Sequence, residues 1–345
     1  MSFQPLPQNP IFVVGYPRSG TTLLQALLST QESIVSFPET HFFRFIYRTR
    51  HERKREGFIE TTQLSILQDY LREMVGCEVE ARHLSPLLTR STDGYIALKD
   101  VFEQLVFQLL EERGEAERLS TARWLEKTPL HVFDLNVIAS WYPEAQFIHV
   151  IRNPLFAISS RKQKLHQSQR VPWGSLAKEW NAAVANAETF AEAHPVSTLL
   201  NVHYEDLVRS TDGAIRRIGL FLNVEIDVRR LQDYRETSER LIQPWETHKA
   251  DVRTQPISNT NAAYHISLLP GLVIQHHAAR MRYYGYAVRY PILQAAYNGV
   301  LRAGAQMKRL RHARALMPIV GRVKAAWRRR PASSPHPPQR ESSRH

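Results

Sequence analysis

Two stretches of this 345-residue chain gather backbone and side-chain groups suited to holding anions. The first, Gly15–Thr22 (GYPRSGTT), follows the apolar run Ile11-Phe12-Val13-Val14 and opens TTLLQALLS, which has the spacing of a buried helix. A glycine-bracketed turn between a strand and a helix N-terminus leaves backbone N–H groups unpaired and pointing outward. Together with the helix dipole they form an anion cradle. The spacing Gly15-x4-Gly20 is that of the phosphate loop of nucleotide triphosphatases, but Thr21 stands where that loop has its Lys. Arg18 supplies a cation from inside the turn instead. The second stretch is FIHVIRNPLFAISSRK, in which a strand runs into Arg152 and Ser160 follows eight residues later. That is about two helical turns, so both side chains can converge on one anion. Between the two stretches, RWLEKTPLH sets Lys127 at the end of a short apolar segment. FPETHFF sets Glu39 beside Phe37, Phe42 and Phe43, where partial loss of water would strengthen a carboxylate base.

The elements that must position these residues are legible in outline. Phe147–Ile151 and Ser197–Val202 read as further buried strands, and Ser175–Phe190 as a helix with Leu176, Trp180, Val184, Ala187 and Phe190 on one face. A last helix falls near Leu268–Tyr284, and Arg240–Thr260 reads as a long polar loop. Alternating strands and helices predict an α/β fold, a P-loop-type parallel sheet with helices on both faces. Expected boundaries are a disordered arm at 1–10, the main domain at 11–290, a basic amphipathic helical extension at 291–330 and a disordered tail at 331–345. With 43% hydrophobic and 10% aromatic residues, the chain is not a mostly disordered one. A single cysteine, Cys77, excludes an intrachain disulfide and a multi-cysteine zinc site. The opening MSFQPLPQNP lacks the marks of a signal peptide, which points to a cytoplasmic protein.

GYPRSGTTLLQALL resembles the 5′-phosphosulfate loop of sulfotransferases that use 3′-phosphoadenosine 5′-phosphosulfate (PAPS), with the nearer likeness to the tyrosylprotein and bacterial branch. The resemblance implies that Arg18, Ser19, Gly20, Thr21 and Thr22 bind the 5′ end of PAPS. The Arg152/Ser160 pair is similar to the family's 3′-phosphate motif, and the product would be 3′,5′-ADP. Lys127 is similar to a family Lys in a KxP setting, 25 residues ahead of Arg152. Glu39 stands 21 residues after Arg18, in an ET context like that of the tyrosylprotein branch's catalytic Glu. His41 and His131 remain competing bases, because the cytosolic branch uses a His. NVHYEDLV resembles the segment whose Tyr approaches the nucleotide, which nominates Tyr204. Thr237 and Ser238 sit near the place of a cofactor-binding serine, in a poorly matching context. The activity implied is in-line, metal-free sulfuryl transfer to a hydroxyl or amine, with Lys127 and Arg18 neutralising charge and the acceptor lying near residues 37–47 and 243–260.

Two other function classes compete. A P-loop kinase needs the loop Lys and an acidic magnesium ligand, where this chain has Thr21 and Arg152. A non-catalytic nucleotide- and membrane-binding protein would have no use for Glu39 and Lys127. The net charge of +12 is not spread evenly. Residues 300–345 hold twelve Lys/Arg and one Glu, and the other 299 residues are nearly neutral, with thirty-three basic and thirty-two acidic side chains. Val300, Ala303, Met307, Leu310 and Met317 recur at helical spacing among arginines, and Ile319, Val320, Val323 and Trp327 continue the stripe. Such a stripe suits an anionic membrane surface, the enzyme's own core or a second subunit, leaving a homodimer open. No aromatic or recognition pattern points to nucleic acid. The acceptor could be a small molecule, a lipid or a protein.

Overall fold

In a parallel sheet covered on both faces, successive residues of a strand enter opposite cores, and the central strands here follow that rule. The computed structural model describes residues 5–48, 56–64, 68–69, 72, 81–165, 171–242, 266–288 and 291–306. Its main sheet contains β1 (Ile11–Gly15), β2 (Ile34–Ser36), β5 (Arg123–Glu126), β6 (Gln146–Ile151) and β7 (Leu199–His203). The order is β2-β5-β1-β6-β7, and every pairing is parallel. A separate antiparallel pair joins β3 (Phe58–Glu60) to β4 (Tyr95–Ala97).

The helices are α1 (Thr21–Leu28), α2 (Ala81–Thr89), α3 (Leu98–Glu111), α4 (Leu135–Trp141), α5 (Pro154–Lys164), α6 (Trp173–Ala193), α7 (Tyr204–Arg209), α8 (Thr211–Leu222), α9 (Tyr234–Leu241) and α10 (Leu268–His277). On one face Ile11 and Val13 of β1 join Leu125, Ile148, Val150 and Val202 under α1, α7 and α8. On the other, Phe12 and Val14 join Trp124, Phe147 and Ile151 under α3, α4, α5 and α6. The expected α/β fold is therefore present.

Several expectations need correction. Residues 5–10 are packed rather than disordered: Leu6 is buried, and the carbonyls of Pro7 and Pro10 accept from Trp124 Nε1 and the Gln146 N–H. The last helix stops at His277 instead of running to Tyr284. Ala278 leaves helical geometry at φ −94°, ψ 55°, and the next turn docks on α6 through Arg280 to Asn181 and Glu188. Arg240 belongs to α9 rather than to a loop, and 243–260 lies outside the described residues. The chain divides into two compact units, Met1–Val288 and Arg289–His345. In the second, 291–306 is helical, and residues 307–345, with most of the basic stripe, lie outside the described residues.

Candidate active site

All five parallel strands end at one edge, and almost every candidate side chain leaves from there, where open α/β sheets place ligands. After β1 comes the turn carrying Arg18 and Ser19, after β2 Glu39 and His41, and after β5 Lys127. Arg152 follows β6, and Tyr204 follows β7. Gly15 allows β1 to end close against β6, since a Cβ there would stand 2.5 Å from the Val150 carbonyl oxygen. Gly20 caps α1 at φ 96°, and a Cβ on it would meet the Tyr204 ring at 2.3 Å. The turn therefore requires glycine twice, first for close approach and then for the left-handed conformation as well.

The cradle has the expected character. Its Ser19 is fully buried, and among the described residues the Ser19 hydroxyl has no partner. The first-turn amides of α1 have no intrahelical acceptor, and no side chain caps the helix. Arg18 adopts φ 71°, a conformation costly for a residue with a side chain. Its Nε donates to Ser160 Oγ at 3.1 Å, which joins the two anion-binding stretches directly. Arg152 Nη1 donates to the Arg18 carbonyl at 3.0 Å, and its guanidinium lies 4.3 Å above the Tyr204 ring. Asn153 caps α5 through Leu155 N–H, and Pro154 takes the first helical position, where the missing N–H costs nothing. The Asn153 N–H donates to Glu205 Oε1 at 3.1 Å, and Tyr286 OH donates to Glu205 Oε2 at 3.0 Å. Burial, then the neighbouring Glu205, pushes the Tyr286 phenol far above its ordinary range, so it remains a donor.

The other half of the site is an ion-pair cluster. Lys127 Nζ donates to Glu39 Oε1 and, at 3.2 Å, to Thr22 Oγ1. His41 Nε2 lies 3.3 Å from Glu39 Oε2. The Lys127 side chain is 1% exposed and that of Glu39 9%, so this pair is shielded from solvent. Glu39 is largely withdrawn from water, as expected. Phe37, Phe42 and Phe43 are core residues, and a cation and an imidazole stand against its carboxylate.

The structure brings Arg18, Ser160, Arg152, Tyr204 and Gly20 together, and separately Thr22, Glu39, His41 and Lys127. It does not join Ser238 to either group. Ser238 lies buried on α9 with its Oγ donating to the Arg235 carbonyl of its own helix, and Thr237 Oγ1 likewise donates to Asp233. His131 is fully buried, with Nδ1 3.0 Å from Glu126 Oε2. The sequence reading missed Glu126, which has no exposure and accepts from Thr40, Thr128 and His131. Its adjacency to Lys127 was the signal available.

The sequence model of the Sulfotransferase family matches residues 10–228, a span that includes every clustered residue and leaves out Ser238. Protein-tyrosine sulfotransferase A of Caenorhabditis elegans is 22% identical over 220 residues, covering 63% of this chain and 50% of that protein. Protein-tyrosine sulfotransferase 1 of Danio rerio is 24% identical over 218 residues, covering 62% and 53%. An omega-hydroxy-beta-dihydromenaquinone-9 sulfotransferase of Mycobacterium bovis is 22% identical over 261 residues, covering 65% and 66%. The chain spans about half the length of the two tyrosine sulfotransferases.

Proposed function

The chain belongs to the sulfotransferase family, and from that premise we propose that it transfers a sulfuryl group from PAPS to an acceptor hydroxyl, or alternatively to an amine. The observation that carries this reading is the meeting of Lys127 with both Glu39 and Thr22 at the mouth of the anion cradle. A carboxylate able to take a proton thus stands beside a cation able to steady a leaving oxygen.

The residues present fit a ligand with two anionic ends. A buried, partnerless Ser19 hydroxyl and the Gly20 turn suit the 5′ end, and Arg152 and Ser160 suit the 3′-phosphate. Arg18, bonded to Ser160, spans both. When bound, PAPS supplies a sulfuryl group already joined to a phosphate leaving group. The chain's own work is positioning and charge stabilisation. Ser19, Gly20, Thr21 and Thr22 orient the 5′ end by N–H and hydroxyl donors. Glu39 accepts the acceptor's proton, and Lys127 with the Thr22 hydroxyl holds charge on the departing phosphate oxygen. Tyr204 backs the Arg152 guanidinium and keeps it aimed.

The relatives are named for protein tyrosine and for an omega-hydroxy quinone, so hydroxyl acceptors come first for this chain. The test is incubation with PAPS and a panel comprising N-acetyltyrosine amide, a tyrosine peptide, a long-chain alcohol and an alkyl amine, read by mass spectrometry. A sulfated product with PAPS, and no phosphorylated one with ATP, is expected. Phosphorylation by ATP would overturn the reading in favour of a kinase.

The extension at 291–330 is part of the same proposal, as an element that meets an anionic membrane surface. Its described helix carries the exposed side chains Ile292, Leu293, Val300 and Leu301. No helix among the described residues is long and apolar enough to cross a membrane. Co-sedimentation with anionic liposomes, comparing the full chain with a truncation after Arg289, decides it. Equal recovery in the supernatant at low salt would remove the membrane from the proposal.

A further inference from the structure

Glu126, the last residue of β5, is a carboxylate with no exposure to water. Its Oε1 accepts from Thr40 Oγ1 at 3.0 Å and from Thr128 Oγ1 at 2.6 Å. Its Oε2 accepts from the Thr128 N–H at 3.0 Å and lies 3.0 Å from His131 Nδ1. These donors come from two different strand-end turns, one after β2 and one after β5. The first carries Glu39 and His41, and the second begins at Lys127. Two weaker links extend the hub: His41 N–H to Thr128 Oγ1 and Phe42 N–H to Thr40 Oγ1, each at 3.3 Å. They brace a turn in which His41 sits at φ 49°.

Packing alone does not call for such a group. A buried carboxylate carries a large desolvation cost, and an apolar residue of similar volume often serves stability as well or better. Burial by itself would raise the Glu126 pKa, but His131, Thr128 and Thr40 together bring it below the ordinary value. The result is a fixed charge that ties two loops, and those loops carry the two members of the Lys127–Glu39 pair. His131 fits the same account, with its ring and that of Phe43 packed edge to face, centroids 5.0 Å apart, and its Nδ1 committed to Glu126.

We propose that Glu126 is a positioning residue that clamps the turn bearing Glu39 to the strand end bearing Lys127, with Thr40, Thr128 and His131 as the arms of the clamp. The role rests on the reading of Glu39 and Lys127 as the reacting pair.

The test uses the full chain. Glu126→Gln keeps the shape but replaces an acceptor oxygen by a donor in a hub made of donors. Turnover of PAPS with the best acceptor from the hydroxyl panel should fall about 10²-fold, the scale of a 1 Å misplacement. Calorimetric affinity for 3′,5′-ADP should stay within about twofold, because the clamp touches neither Arg152 nor Ser160. A crystal structure of the variant should show the Thr40–His41 turn displaced from Lys127. Thr40→Val, which removes a single arm, should lower turnover less and leave 3′,5′-ADP binding alone, and it carries the test if Glu126→Gln does not fold. In a Glu39→Gln background, Glu126→Gln should cost no more than about a further twofold, since residues acting as a unit are not additive. A full multiplicative loss, or a turn that keeps its place in the variant crystal, overturns the clamp. If Glu39→Gln alone keeps its turnover, the assignment of the base falls instead, and the crystal position of the turn still decides the clamp.

Discussion

Arg18, Arg152, Ser160 and Tyr204 hold one another through a hydroxyl, a carbonyl and an aromatic ring, whereas Lys127 is held against a carboxylate. On the proposed reading, the contrast separates a nucleotide side of the site from a reaction side. A guanidinium fixed by a hydroxyl, a carbonyl and an aromatic ring is aimed before a ligand arrives, which suits recognition of phosphates. A cation paired with a carboxylate is balanced within itself, which suits a place where a proton and an electron pair must move in opposite directions. The supports differ in kind as well. The nucleotide side depends on backbone geometry, with Arg18 and Gly20 at positive φ, while the reaction side is tied to Glu126 below it.

The contrast breaks most sharply at Glu39. Glu39→Gln is expected to lower turnover by about 10²–10⁴-fold, the range of general-base catalysis, with 3′,5′-ADP affinity kept. Loss of nucleotide affinity in calorimetry would mean that the two sides are not separable.

Acid should also tell the sides apart. His149 lies in β6, the strand that delivers Arg152, and burial lowers its pKa from 6.5 to about 4. The unfolded chain therefore takes up this proton first, so stability is intact above pH 6.5 and falls as pH drops towards 4. At about 1.4 kcal/mol per pH unit the loss reaches roughly 3 kcal/mol. Glu126, a depressed carboxylate, contributes stability above pH 4.5 and loses it only below that. Thermal unfolding from pH 7 to 4.5 should show the decline in the wild type and a shallower one in His149→Gln. Identical slopes would remove His149 as the cause.

A smaller effect is expected on the nucleotide side. Arg152→Ala should weaken 3′,5′-ADP at least tenfold, about 1.5–3 kcal/mol for a charge-assisted contact, while 5′-AMP changes little. Equal weakening of both nucleotides would detach Arg152 from the 3′-phosphate. The smallest effect belongs to His41: with Glu39 as base, His41→Ala should change turnover by less than about threefold. A loss as large as that of Glu39→Gln would make the imidazole the base.

Much of the site was readable because its pieces are local. GYPRSGTT announces a turn and a helix start within eight residues, and Arg152 and Ser160 sit two helical turns apart. The central strands β1 and β6 showed themselves as nearly continuous apolar runs, since strands buried on both faces have little polar side. β7, at the edge of the sheet and only half-buried, was legible from its shorter apolar run. The three-residue strands β2, β3 and β4 are too short to display a period, and their place in a sheet depends on partners far along the chain. Glu126 was hidden for a related reason. A charged residue ending a strand reads as solvated until the donors that surround it are known, and Thr40 lies 86 positions away.

By itself, then, the sequence determined three of the main-sheet strands, where an anion cradle opens and which residue types are available to act on what it holds. These follow from periodicity and turn chemistry over short spans, where each residue's neighbours in space are its neighbours in the chain. Only the tertiary structure decided the partnerships. Lys127 meets Glu39 across 88 positions and Thr22 across 105, and Arg18 meets Ser160 across 142. Those meetings depend on β1 lying between β5 and β6 in register, so that the strand-end turns face one another. Strand order and register come from packing two cores on opposite faces of one sheet, a property of the whole chain that no short stretch of sequence contains.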